Sequence, residues 1–127
     1  MNVSRLRARK VTYPARKQVS VWIGTFPSEA DFDRCVDGSV TPALSLRTHI
    51  DRICEIAFEP EQVSVRRLLD GFSGCETFID SATSAAEARG IAAANSALVC
   101  YHLECSDAPD NWGGLRFLGS FPGQDVV

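Results

Sequence analysis

QVSVWIGTFPSEADFDRCVDG, residues 18–38, carries the pattern that decides the fold. Val19, Val21 and Ile23 alternate with Gln18, Ser20 and Trp22. Side chains on a strand alternate between faces, so Gln18 to Gly24 reads as a strand with one fully apolar face. Gly24, Thr25, Phe26 and Pro27 break it. The period then changes: Phe32, Cys35 and Val36 recur at i, i+3 and i+4, the apolar stripe of a helix. Ser28 is a good N-cap, and Glu29 and Asp31 put acid in the first turn, where the macrodipole favours it. Glu29, Asp33 and Asp37 share another face at i, i+4 and i+8, and Asp37-Gly38 ends the helix.

Working outward, Thr41-Pro42 opens a short helix through Leu44, Leu46 and Arg47. Arg52 to Phe58 (RICEIAF) is a second strand, stopped by Glu59-Pro60, with Cys54, Ile56 and Phe58 as its more apolar, inward set. Val63 to Gly71 predicts a helix with Val65, Leu68, Leu69 and Phe72 on one face. Ser73 and Glu76 have the spacing of a capping box. The helix they open, Gly74 to Arg89, would bury Phe78, Ile79, Ala82, Ala85 and Ala86, with Gly90 as the C′ glycine. Ala97 to Leu103 (ALVCYHL) is nearly continuous in apolar content, which predicts a central strand covered on both faces. A loop, Ser106 to Gly114, precedes a last strand, Leu115 to Phe121. As an exposed edge, that strand would offer a route to a homodimer. The order predicts an α+β domain: a mixed or mainly antiparallel sheet of about four strands, with helices packed mostly on one face. Trp22, Gly24, Ser73, Gly90 and Gly119 are assigned structural roles; Trp22 would fill a gap between sheet and helix, and Gly24 would allow a tight exit from the strand.

A chain of 127 residues fits one domain. Hydrophobic residues at 45% and charged residues at 23% exclude wholesale disorder. No apolar run approaches the ~20 residues that span a bilayer, and no apolar segment follows the basic N-terminus, so neither a membrane span nor a secretory signal is expected. Five cysteines without a signal read as reduced thiols of a cytoplasmic protein. Charge is unevenly placed. Residues 1–17 hold Arg5, Arg7, Arg9, Lys10, Arg16 and Lys17 and no acid, giving +6, whereas residues 18–127 carry −9. The first segment is expected to be a disordered, solvated leader ahead of the domain at 18–127. The acidic body repels nucleic acid and speeds encounter with basic proteins.

Candidate chemistry is sparse. Cys100, His102 and Glu104 are zinc-ligand types on one face of a strand. Their Cα atoms would stand about 6.6 Å apart, and no CxxC or HExxH accompanies them, so a buried cysteine and a hydrogen-bonded histidine is the preferred reading. No metal is expected. Cys75, in the first turn of a predicted helix, is the best candidate nucleophile, with His49 or His102 as base. No GxxxxGK[ST] or GxGxxG phosphate loop occurs, and no cofactor is expected. Trp112 stands in a loop among Asp107 and Asp110; it either anchors an interface or folds back on the sheet.

The ordered set of segments resembles the immunity protein 22 family of bacterial polymorphic toxin systems. The resemblance runs through VSVWIGTFPSEADFDRCVD (Val19 to Asp37, with the Trp22-Ile23-Gly24 motif), LLDGFSGCETFID (Leu68 to Asp80), ANSALVCYHLE (Ala94 to Glu104) and LRFLGSF (Leu115 to Phe121). Late in the first helix, where members often have an aromatic, this chain has Cys35-Val36. The resemblance implies a cytoplasmic immunity protein that binds and neutralises a cognate toxin, with no catalytic residues and no cofactor. Many toxins of such systems attack nucleic acid and have basic active sites, so the expected partner is a basic protein such as a nuclease. From charge and expected exposure, the candidate partner-binding residues are Glu29, Asp33, Asp37, Asp107, Asp110 and Trp112. Two other classes compete: a small cysteine- or metal-dependent enzyme, of which a Cys75 hydrolase is the sharpest form, and a nucleic-acid-binding protein that uses the basic arm.

Overall fold

The computed structural model describes residues 10–12, 15–40, 54–106 and 110–123. Its elements are β1 (Lys10–Thr12), β2 (Gln18–Gly24), α1 (Glu29–Cys35) with a π-helical turn Val36–Val40, and β3 (Cys54–Ser64). There follow α2 (Val65–Leu69), a 3-10 turn Cys75–Thr77, α3 (Ile79–Ala88), β4 (Ala93–Tyr101), β5 (Glu104–Ser106), β6 (Asn111–Trp112) and β7 (Leu115–Pro122). The domain is α+β. One sheet has the order β3-β4-β2-β7-β6, with every neighbour antiparallel, and β1 pairs with β5 as a separate ribbon. The main sheet thus has five strands where about four were expected. The extra one is β6, a two-residue arm too short for any periodicity to show.

The sheet is covered on both faces. Val19, Val21 and Ile23 of β2 pack with Val65, Leu68 and Leu69 of α2 and with Ile79, Ala82 and Ala86 of α3. Trp22 of the same strand packs on the opposite side with Phe32, Cys35 and Val36, the stripe of α1 and its turn. Helices were expected mostly on one face; two of the three are there, and α1 covers the other. Covering both faces explains why β2 is buried from Val19 through Gly24 and β4 from Ala94 through Tyr101. The seven residues of α1 are too few for a helix to persist alone in water, so docking of Phe32 holds it. Full burial of such a side chain contributes about 2–3 kcal/mol.

Several expectations are corrected. β3 does not stop at Glu59-Pro60; it continues to Ser64, with its register against β4 shifting between Phe58 and Val63. Pro60 is tolerated because β3 is an edge strand. Cys54 and Phe58 face the α1 side of the core, but Ile56 between them is 50% exposed. The long helix begins at Ile79, not at Gly74, because Gly74 is left-handed at φ 62° and Ser73 is engaged elsewhere. β4 ends at Tyr101, and His102 turns the chain at φ 59°. Cys100, His102 and Glu104 therefore do not share one strand. β7 is not the outermost strand: it pairs with β2 along its length and with β6 through Leu115 and Arg116. The expected edge is thus covered at Leu115 and Arg116 alone. Lys10–Thr12, within the expected leader of residues 1–17, pairs with Glu104–Ser106 and so is joined to the domain. Cys54 and Cys100, read as free thiols, face each other across β3 and β4 and form a disulfide. The short helix expected through Leu44, Leu46 and Arg47 lies outside the described residues.

Candidate functional site

The candidate carboxylates fall into two settings. On α1, the Ser28 hydroxyl accepts from the Asp31 N–H at 3.2 Å and caps the helix. Asp31 also takes an ion pair from Arg34, so it belongs to the helix's own stabilisation. Glu29, Asp33 and Asp37 are all exposed, and no ion pair among the described residues engages them. Glu29 suits the first turn, but the other two placements work against the helix. Glu29 and Asp33 are like charges at i, i+4, a cost of about 0.2–0.5 kcal/mol. Asp37 follows the carboxyl end of α1, where the macrodipole disfavours an anion.

The second setting is the segment around β6. Asp110 is exposed, but its carboxylate accepts from Arg116 Nε at 3.1 Å and Nη2 at 3.0 Å, with Arg89 Nε 3.9 Å away. Hydrogen bonding from Arg116 holds the Asp110 carboxyl below the usual range, against a smaller effect of burial. Trp112 is only 4% exposed. Its ring stacks on Trp22 with centroids 5.6 Å apart and planes 17° apart, and Trp22 meets Phe117 at 5.0 Å. Neither indole N–H has a hydrogen-bond partner among the described residues. Trp112 is thus a core residue, which corrects its assignment as an exposed anchor. Asp107 lies outside the described residues.

The residues given structural roles sit as follows. A Cβ on Gly24 would stand 2.7 Å from the Gly114 carbonyl oxygen, so the chain can pass there only as glycine. Gly90 has φ +73° just after α3, the geometry of a C′ glycine. Gly119 has φ +141° beside the register shift between β2 and β7. Ser73 does not form a capping box with Glu76. Its N–H and hydroxyl instead donate to the two carboxylate oxygens of Glu55, at 2.9 and 2.6 Å.

That contact is part of a cluster the sequence did not reveal. The Tyr101 hydroxyl lies 2.9 Å from Glu55 Oε1 and 2.7 Å from the Ser73 carbonyl. Burial works to raise the Glu55 carboxyl, but the bonds from the Ser73 hydroxyl, the Ser73 N–H and Tyr101 outweigh it and set the pKa below the ordinary value. Burial, reinforced by the Glu55 charge, raises Tyr101 far above a normal phenol. The cluster therefore holds Glu55 as an anion and Tyr101 as a neutral donor. Three elements meet in it: β3, β4 and the turn after α2.

Cys75 opens a three-residue 3-10 turn and is half-buried. The shallow cleft beside it is lined by Arg66, Arg67, Asp70 and Glu76, with no histidine among the described residues. His49 lies outside the described residues. Cys35 and Cys105 are buried; burial pushes the Cys105 thiol up to about 12. Among the described residues no group of three or more His, Cys, Asp or Glu side chains could hold a metal ion. None of the described helices is long and apolar enough to cross a membrane. No family model, no curated protein and no solved structure matches the chain.

Proposed function

We propose that the chain is an immunity protein of the kind its sequence resembles. It binds a basic toxin protein, such as a nuclease, and occludes the toxin's active or binding surface with an acidic face. The observation that carries this reading is that no ion pair among the described residues engages Glu29, Asp33 or Asp37. Arg34, Arg66, Arg89 and Arg116 each pair with an aspartate, Asp31, Asp80 or Asp110, that lies outside this trio. The trio is left to act on a partner, at some cost to the helix that bears it. Carboxylates so placed speed encounter with a basic protein and disfavour nucleic acid. Asp110 and Trp112 are withdrawn from the proposed surface, because Asp110 is neutralised and Trp112 is buried. A cytoplasmic setting belongs to the same reading. A lasting disulfide is uncommon there, so five titratable thiols in protein drawn from cells would support that setting and three would contradict it.

The test is co-expression. A basic protein captured from source-cell lysate at low salt is expressed alone and then with this chain. The proposal expects arrest by the first and growth with the second. A captured protein that leaves growth unchanged when expressed alone would overturn the immunity reading.

A further inference from the structure

The outermost strand at one end of the sheet is β3, and the stretch Cys54 to Phe58 runs opposite Cys100 to Ser96 of β4. Cys54 and Cys100 stand 4.1 Å apart at Cα. That is the spacing of a pair that does not exchange hydrogen bonds; bonded pairs stand at about 5.5 Å. By alternation, Glu55 and Ala57 bond to β4, whereas Cys54, Ile56 and Phe58 turn their N–H and C=O groups to the outer side of the sheet. Ile56 has no backbone partner there among the described residues, and it carries the one exposed large hydrophobic side chain among them. Past Phe58, Glu59-Pro60-Glu61 blunts the edge with charge and a missing donor. Among the described residues the open stretch is therefore short and bounded.

A cleft of about 500 Å³ adjoins it, lined by Glu55, Ala57, Leu68, Asp70, Gly71 and Phe72, with Ile56 at its rim. Leu68, Phe72 and Ala57 supply apolar surface, and the two carboxylates supply charge. An ionised carboxylate has about four acceptor positions. The three bonds from Ser73 and Tyr101 use two on Oε1 and one on Oε2, which leaves Oε2 able to accept another. The cleft matches a flexible cation on an aliphatic stem, and the edge beside it matches a backbone.

We infer that the Cys54–Phe58 edge and this cleft together receive an extended basic segment of a protein partner as an added strand. Its outward backbone groups bond to Ile56, alternate Lys or Arg side chains enter the cleft toward Glu55 and Asp70, and the intervening apolar side chains cover Ile56. A second copy of the chain is the poorer occupant. Self-pairing would bring two Glu55–Asp70 clefts together with Glu59 and Glu61 on the flanks, like charge against like. The basic character of the natural partner rests on the immunity reading, whereas the edge and the cleft stand on geometry alone. α1 lies beside the same strand, with the Phe32 and Phe58 rings 6.5 Å apart, so one partner can span both surfaces.

The probe is a seven-residue peptide of alternating lysine and valine, blocked at both ends. Its control is a peptide of the same composition with the lysines in one block. Ile56→Pro removes an outward N–H together with the exposed isoleucine side chain, and edge strands tolerate proline, so the fold should persist. Binding of the alternating peptide should slow exchange of the Ile56 amide and shift resonances of residues 55–57 and 68–72. Affinity should fall about tenfold or more in Ile56→Pro, and severalfold in Asp70→Asn, with melting temperatures kept. The block peptide should bind at least several times more weakly. Equal binding of both peptides, or affinity unchanged by Ile56→Pro, would overturn the proposal as would no binding at millimolar peptide. A dimer without peptide that protects Ile56 would overturn it in favour of self-pairing. Peptide binding at this edge in a chain that protects no cell from a toxin would leave the edge site standing and remove the immunity reading.

Discussion

Two acidic stretches, α1 with its turn and the segment around β6, look alike in sequence and differ in the structure. Each has carboxylates spaced along a short element next to aromatic residues. Around β6 the aspartate is held by Arg116 and the tryptophan is stacked on Trp22. On α1 and its turn the aromatic, Phe32, is buried, while Glu29, Asp33 and Asp37 face solvent without a counter-charge among the described residues. The difference teaches that acidity alone does not mark a partner surface. A carboxylate with an arginine in reach serves the fold, and one that strains its own helix is available to something else.

The sharpest way to break this contrast is Trp112→Ala. A buried, stacked indole should cost about 3–5 kcal/mol when removed, read as a large drop in denaturant midpoint. An unchanged midpoint would make Trp112 a surface residue and return it to the interface. Next comes Tyr101→Phe, which removes the one hydroxyl proton that Glu55 Oε1 and the Ser73 carbonyl share and should cost about 1–2 kcal/mol. The Glu55 carboxyl lies below its ordinary value. Its contribution is therefore present above the unfolded carboxylate pKa and lost as pH falls through the folded value. Glu55→Gln should flatten the acid limb of the stability profile; an unaltered limb would deny that the cluster is ionised. The smallest effect belongs to Asp110→Asn. Its pairing is exposed, so at neutral pH the loss should stay near 0.2–1 kcal/mol, ~0.5 at most in high salt, and should shrink on acidification by the same sign. A loss above that range would move Asp110 into the core of the account.

Much of the fold was legible because it rests on local periodicity. The alternation in β2, the Phe32-Cys35-Val36 stripe, the Val65, Leu68, Leu69 and Phe72 face and Ala82 and Ala86 of α3 all lie in the core as their spacing implies, with Ala85 partly buried against it. What escaped depends on residues far apart in the chain. Ser73 reads as a cap until β3 places Glu55 against it. Trp112 reads as loop until the turn at Gly113 and Gly114 folds it back onto Trp22. Cys54 and Cys100 meet only through the register of β3 on β4, which no spacing in one strand encodes. The face with Glu29, Asp33 and Asp37 was legible as charged; that it lacks counter-charges among the described residues was not, since those depend on where the arginines of other elements fall.

The central claim is that this face of α1 engages a basic partner. The direct measurement is the affinity of the captured toxin for the chain and for its Asp33→Lys, Asp37→Lys variant, with melting temperature recorded for both. The account predicts a loss of about tenfold or more, mostly in association rate, and a melting temperature equal or slightly higher, because Asp37 follows the carboxyl end of the helix. Equal affinity with intact folding would contradict it.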